Sequence, residues 1–133
     1  MTREQILEFL NANPVCHLAT CEGKQPRVRG MMMYRAEAAG LIFHTGNYKA
    51  LAKQLRANKH VELCFNSQDT QVRVAGVAED MDLKKEIVEA RPFLKPWVEK
   101  HGYELLVVFR VTQCQAAVWT MATNFEPTQY QKL

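Results

Sequence analysis

The stretch IFHTGNYKALAKQLRANKHVELCF, residues 42–65, decides how this chain folds. It opens as an apolar strand, Leu41 to His44, and breaks at Thr45-Gly46-Asn47, where glycine and asparagine favour a turn. From Tyr48 to Asn58 the apolar positions change period. Leu51 and Leu55 stand four apart, the spacing of one helical face. Val61 to Phe65 returns to strand-like alternation. Lys49 and Lys53 share another helical face, continued by Arg56 and His60. The positive end of a helix dipole disfavours a cation unless an anion offsets it. Thr45 and Asn47 add side-chain donors beside the helix start. The stripe therefore reads either as a wet basic face or as a seat for a phosphate.

The same strand-and-turn grammar runs outward in both directions. Residues 2–12 form an expected helix, with Thr2 and Gln5 spaced as a capping box and Asn13-Pro14 as its stop. Strands are expected over 15–20, 27–36, 71–78, 105–111 and 115–121, with turns at 22–24, 37–40 and 66–69. Asp82 is placed to cap a helix reaching Ala90, and a short helix is expected around Pro96-Trp97. Residues 1–133 read as one domain. Six or seven short strands with a few flanking helices imply a mainly β, α+β fold, a closed or partly closed antiparallel barrel.

Composition narrows the function. A net charge of +3 from 17 basic and 14 acidic side chains is too mild to imply nucleic acid. The basic stripe of the helix lacks an aromatic platform for bases, so no nucleic-acid partner is expected. No apolar run reaches membrane-spanning length, and the opening residues carry no signal-peptide core. Cys16, Cys21, Cys64 and Cys114 are scattered, without a metal-binding spacing. They read as reduced thiols of a cytoplasmic protein, Cys64 and Cys114 in the core. His17, inside an apolar strand, reads as a core histidine. The single serine, Ser67, lies outside any nucleophile motif, and no metalloprotease or glycine-rich phosphate-loop pattern occurs.

What remains is a set of cations and amides at strand ends. In PRVRGMMMY, residues 26–34, a regular strand sends Arg27, Arg29, Met31 and Met33 to one side. Val28, Gly30, Met32 and Tyr34 go to the other. Gly30 inside a strand marks a bulge or a close approach. Consecutive methionines give soft apolar surface that lines a flat ring or fills a core.

The segments LATCEGKQPRVRGMMM, IFHTGNYKALAKQLRANKHVELCF and VRVAGVAEDMD together resemble the pyridoxamine 5′-phosphate oxidase-like, FMN-binding split-barrel superfamily. The chain is most similar to its small members related to the nitroimidazole-resistance reductases. The resemblance covers nearly the whole chain and rests on the order and spacing of the segments. It implies an antiparallel split barrel, a homodimer with flavin at the subunit interface, and FMN as cofactor.

By position, Arg29 matches an arginine that approaches the FMN phosphate. Gly30, Met31 and Met32 fall where the family borders the isoalloxazine ring. His44 and Thr45 match a strand-end pair beside the cofactor. Lys49 stands at the serine of the oxidases' S-R-K motif, which Ala50 and Leu51 complete differently here. Lys53, one turn on, is placed to supply the missing charge. Gln71 matches a glutamine that reaches flavin from the neighbouring subunit, and Trp119 a tryptophan near the ring edge. The oxidases' later substrate-holding arginine and histidine have no evident counterpart. The implied function is an FMN-dependent oxidoreductase passing electrons to a small acceptor, of nitroaromatic or quinone type. Two alternatives stay open: a flavin carrier or sensor, and a split barrel holding haem, a deazaflavin or pyridoxal phosphate.

Overall fold

The structure, a computed structural model, describes residues 1–133. Helix α1 (Arg3–Ala12) begins at the expected capping box: the Thr2 hydroxyl accepts from Gln5 N and the Gln5 side chain accepts from Thr2 N. Strands β1 (Val15–Glu22) and β2 (Gln25–Met32) form a hairpin, followed by β3 (Arg35–Glu37) and β4 (Gly40–Gly46). Helix α2 (Ala50–Ala57) leads to β5 (His60–Asn66) and β6 (Thr70–Asp80). Helices α3 (Lys84–Ala90) and α4 (Lys95–His101) precede the long β7 (Leu106–Thr120) and the short β8 (Tyr130–Lys132).

The strands form one antiparallel sheet in the order β2-β1-β5-β6-β7-β4-β3, with β8 against β7. Strands β2 and β3 are the two edges of that order, yet only Met33 and Tyr34 separate them in sequence. Two residues span a few ångströms, so the sheet must roll until its edges approach. Met33 N donates to Pro14 O at 2.8 Å and Tyr34 N to Ile42 O at 2.8 Å, tying the two edges at that seam. The result is a sheet rolled into a split barrel, as the resemblance implies.

Inside it, Leu18, Phe43, Leu63, Phe65, Val72, Val74 and Phe109 are buried. Phe43 and Phe109 stack with centroids 5.5 Å apart, worth about 0.5–1.5 kcal/mol beyond burial. A second apolar cluster packs α3 and α4 onto the other side of β4 through Ile42, Ile87, Val88, Val98 and Val108.

Several expectations are corrected. The strand expected over 27–36 divides at Met33-Tyr34, because there the chain changes partner from β1 to β4. The two strands expected over 105–111 and 115–121 are one, β7. It bends at Gln113, whose φ is 53°, opposite the register shift at Ala75–Val77. Gly76 lies in that shift, where an added Cβ would come 2.7 Å from Thr112 O. Helix α2 starts at Ala50, with Lys49 as its N-cap rather than in its first turn. Asp82 does not cap α3; Leu83 holds that position without a side-chain bond. His17 is exposed, because β1 alternates and buries Cys16 and Leu18 instead. Cys64 is only half-buried, on the face of β5 opposite Leu63 and Phe65, whereas Cys114 is buried. No helix is long and apolar enough to cross a membrane.

Candidate functional site

Strand β2 puts Val28 and Met32 outside, 68% and 54% exposed, and turns Arg29 and Met31 inward, where both are half-buried. The arginine side is thus not the solvated one. Arg29 stands beside the buried Leu18 in the β1 register. Its Nη1 donates to Leu18 O at 3.2 Å and Thr20 Oγ1 at 2.8 Å, and its Nη2 to Gln54 Oε1. The Thr20 hydroxyl donates to the same Gln54 oxygen at 2.6 Å, and Gln54 Nε2 donates to Glu22 Oε2 at 3.2 Å. No acidic side chain pairs with Arg29, while Glu22 pairs with Arg27 at 3.1 Å. A guanidinium has five N–H donors, so three bonds leave the Nε–H and one Nη2–H free. Burial makes the charge costly, which is why its pKa is lowered.

At the end of β4, His44 is half-buried on the side of Ile42, and Thr45 is buried on the opposite side. The Thr45 hydroxyl has no protein partner. Asn47 is engaged in the fold: its Nδ2 donates to Glu104 O at 2.6 Å and its backbone N to Leu105 O at 2.8 Å. Lys49 and Lys53 are exposed, and their ammonium groups bond no other side chain. Lys53 directly precedes the buried Gln54 that holds Arg29, so α2 carries one free cation beside the inward network. Gly30 is exposed in the middle of β2, and an added Cβ there would meet nothing.

Arg91, at the C-cap of α3, completes the seam. Its Nη2 donates to Met33 O at 3.1 Å, its Nη1 lies 3.5 Å from Met32 O, and that Nη1 is 2.6 Å from His44 Nε2. Burial first, then the charges of Arg91 and Lys49, push the His44 pKa down from 6.5 to about 4. The ring is therefore neutral at physiological pH.

Gln71 and Trp119 are neighbours in the β6–β7 register. Gln71 Nε2 donates to Asn66 Oδ1 at 3.0 Å, and Trp119 Nε1 to Asn124 Oδ1 at 3.0 Å. With Arg73 and Tyr130 they line a groove of about 970 Å³ under the C-terminal segment. Arg73 lies 3.9 Å from Glu62 and 6.0 Å from the Tyr130 ring centroid. Strand β6 buries Val72 and Val74 and turns Gln71 and Arg73 to the other face. Arg29 belongs to the core side of the sheet and Gln71 to the outer side. Within one chain the two sets are separated by the sheet itself.

Three residues of these networks were not singled out from the sequence: Thr20, Gln54 and Arg91. Gln54 left a signal, since it shares the apolar face of α2 with Leu51 and Leu55, and a polar residue there must be bonded. Arg91 left none, because its partners are backbone carbonyls and a histidine far away in sequence.

An antiparallel sheet rolled until its two edges meet, with helices packed on one side of β4, is the architecture of a split barrel. The family model described as pyridoxamine 5′-phosphate oxidase matches residues 2–119, and the chain belongs to that family. Among solved structures it is similar to a NimC/NimA family protein from Clostridium acetobutylicum, with 27% identity and a TM-score of 0.78, covering 98% of this chain and 92% of that one. A FAD-binding protein from Mesorhizobium loti is 21% identical over 89% of this chain and 94% of its own, with a TM-score of 0.65. A pyridoxamine 5′-phosphate oxidase-related, FMN binding protein from Nostoc punctiforme is 15% identical over 98% and 95%, with a TM-score of 0.62. The last two show the fold alone. No curated protein matches the chain.

Proposed function

We propose that this chain binds FMN as a homodimer and passes electrons to a small flat acceptor of nitroaromatic or quinone type. The observation that carries the reading is Arg29: a half-buried cation fixed by three neutral partners, without an acid, and with N–H groups to spare. Such a group is costly unless an anion meets it, and a phosphate accepts its fork geometry. The uncommitted donors nearby fit the same ligand. Lys49 and Lys53 would add charge to the phosphate and Thr45 a hydroxyl, with Asn47 shaping the loop between them, while His44, on the other side of β4, would offer a ring N–H to another part of the cofactor. Gly30, Met31 and Met32 would border the ring. The family, and the FMN-binding and FAD-binding names of two structural neighbours, agree with a flavin.

Gln71 and Trp119 lie on the outer face, so they would meet the cofactor only across a second copy. The exposed Val15, Val28, Met32 and Trp119 on that face supply apolar surface for the contact. Bound FMN supplies the redox chemistry; the chain's residues bind it, orient it and shape the acceptor's access. A mouth edged by Met31, Met32 and Trp119 would suit uncharged flat molecules. Free thiols throughout suit a reducing compartment, and burial pushes Cys16 up to about 12 and Cys114 to about 11, so both stay protonated.

Calorimetric titration tests the phosphate assignment. FMN should bind at least ~10-fold more tightly than riboflavin, the worth of about one charge-assisted bond; equal affinities overturn the reading. Light scattering should give about twice the 15.3 kDa chain mass, and a monomer that holds FMN stoichiometrically contradicts the shared site. In anaerobic stopped-flow, the reduced loaded protein should be reoxidised faster by a nitroimidazole or quinone than by pyridoxal 5′-phosphate. If no acceptor outpaces its reaction with free reduced FMN, the carrier or sensor reading replaces the enzyme.

A further inference from the structure

We propose that Arg91 is a positioning residue: it locks His44 in the neutral form with its proton on Nδ1, so that the site offers a fixed N–H donor at the end of β4. This deepens the flavin reading above and rests on it only for the ligand's identity. A guanidinium has donors and no acceptor. At 2.6 Å from Arg91 Nη1, His44 Nε2 must therefore accept, and the ring's proton must sit on Nδ1. Nδ1 itself has no partner within the chain.

Arg91 cannot easily turn away. Its other N–H groups are aimed at Met32 O and Met33 O, and its guanidinium lies 5.5 Å from the Tyr34 ring centroid. The groups around His44 reinforce the neutral form. Arg91 faces it from α3 and Lys49 from the start of α2, both cationic. Val108 is its register neighbour on β7. On α3, Glu86 is committed to the Tyr34 hydroxyl at 2.8 Å and to Arg35 at 3.3 Å. No carboxylate pairs with Arg91 or His44. A histidine held this way is a poor proton source near neutral pH and a good directional donor. Protons for acceptor reduction would then come from water.

The test reads the ring directly. Long-range nitrogen–proton correlation NMR of the ligand-free protein distinguishes the two neutral tautomers and the imidazolium, with the signal assigned through His44→Gln. In the wild type His44 should show the Nδ1–H tautomer from about pH 5.5 to 8, where an unperturbed histidine would titrate. Arg91→Met should raise the His44 titration by at least ~1 unit and populate the Nε2–H form. Arg91→Lys, which still carries a cationic donor, should restore the wild-type signature. An Nε2–H ring or an imidazolium at about pH 7 in the wild type overturns the proposal, as does an Arg91→Met spectrum indistinguishable from wild type. If Arg91→Met fails to fold by circular dichroism, the wild-type tautomer and Arg91→Lys still decide.

FMN titration supplies the second readout. Arg91→Met should bind ~5–10-fold more weakly and gain a pH dependence across the titration range of histidine that the wild type lacks. A wild type that shows the tautomer but binds no FMN sinks the flavin reading and leaves this one standing. FMN bound equally by wild type and Arg91→Met at every pH sinks the positioning role instead.

Discussion

The donors on β2 and at the end of β4, and the outer groove of β6 and β7, carry the two halves of the candidate site, and they are built differently. On the inner side of β2, Arg29 is held by Leu18 O, Thr20 and Gln54; at the Met33-Tyr34 seam, His44 is held by Arg91. These bonds exist before any ligand arrives, so little ordering entropy remains to be lost on binding. In the groove, Gln71 and Trp119 bond only to nearby Asn66 and Asn124, on a half-open face. The first region is complete within one chain. On the proposed reading, the second would meet the cofactor only when another copy covers it. A preorganised set of donors and an open, mostly polar groove therefore make different demands, and perturbations should separate them.

The largest effect should come from the inner side of β2. Arg29→Met removes the fork offered to the phosphate and leaves Thr20 and Gln54 bonded to each other. FMN affinity should fall roughly 100-fold, about two charge-assisted bonds, while riboflavin affinity changes little. Equal losses for both ligands would show that Arg29 supports the fold and not the phosphate.

Acid should act next, at the end of β4. The folded pKa of His44 is about 4, against an ordinary 6.5, so below the ordinary value the unfolded chain binds the proton more readily. Stability is full above about pH 6.5 and falls progressively toward about pH 4, by about 2–3 kcal/mol from this group. Denaturant melts of wild type and His44→Gln across that range check the sign. Parallel curves would remove His44 as the cause.

The outer face should respond to charge without unfolding the chain. Val28→Glu puts a carboxylate on exposed surface that lies outside the core. It should weaken the dimer at least ~10-fold and lower FMN occupancy in step, the signature of one unpaired desolvated charge at a seam between copies. Dimer loss with full flavin binding would confine the cofactor to one chain.

The smallest effect should be Gln54→Leu. It keeps the volume on the buried face of α2 but removes one of the three partners of Arg29 and the acceptor of the Thr20 hydroxyl proton. FMN should bind ~5–10-fold more weakly, with a drop in melting temperature of a few degrees, consistent with one lost buried partner at ~1–3 kcal/mol. An unchanged affinity would show that Arg29 orients itself.

The order of strands and helices was legible because periodicity is local. Leu51 and Leu55 mark a helix, and the alternation of β5 marks a strand, wherever they stand. The capping box at Thr2 and Gln5 was legible for the same reason. The division at Met33-Tyr34 was not, since its cause is a change of partner from β1 to β4, and no local pattern records partners. Nor was the fusion of two expected strands into β7, which bends at Gln113 and still continues its pairing with β6 past the shift at Gly76.

The candidate cations Arg29, Lys49 and Lys53 stood in the sequence as residue types at strand and helix ends. By itself the sequence determined that Lys49 and Lys53 follow one turn, that Arg29 stands on a strand, and that the chain belongs with the split barrels. Only the tertiary structure decided that Arg29 faces inward onto Gln54, that Arg91 reaches across the seam to His44, and that Gln71 lies beyond the sheet from Arg29. Those facts depend on which strands become neighbours and how the sheet rolls. Both are set by the packing of distant apolar residues, which a reading of adjacent positions does not contain.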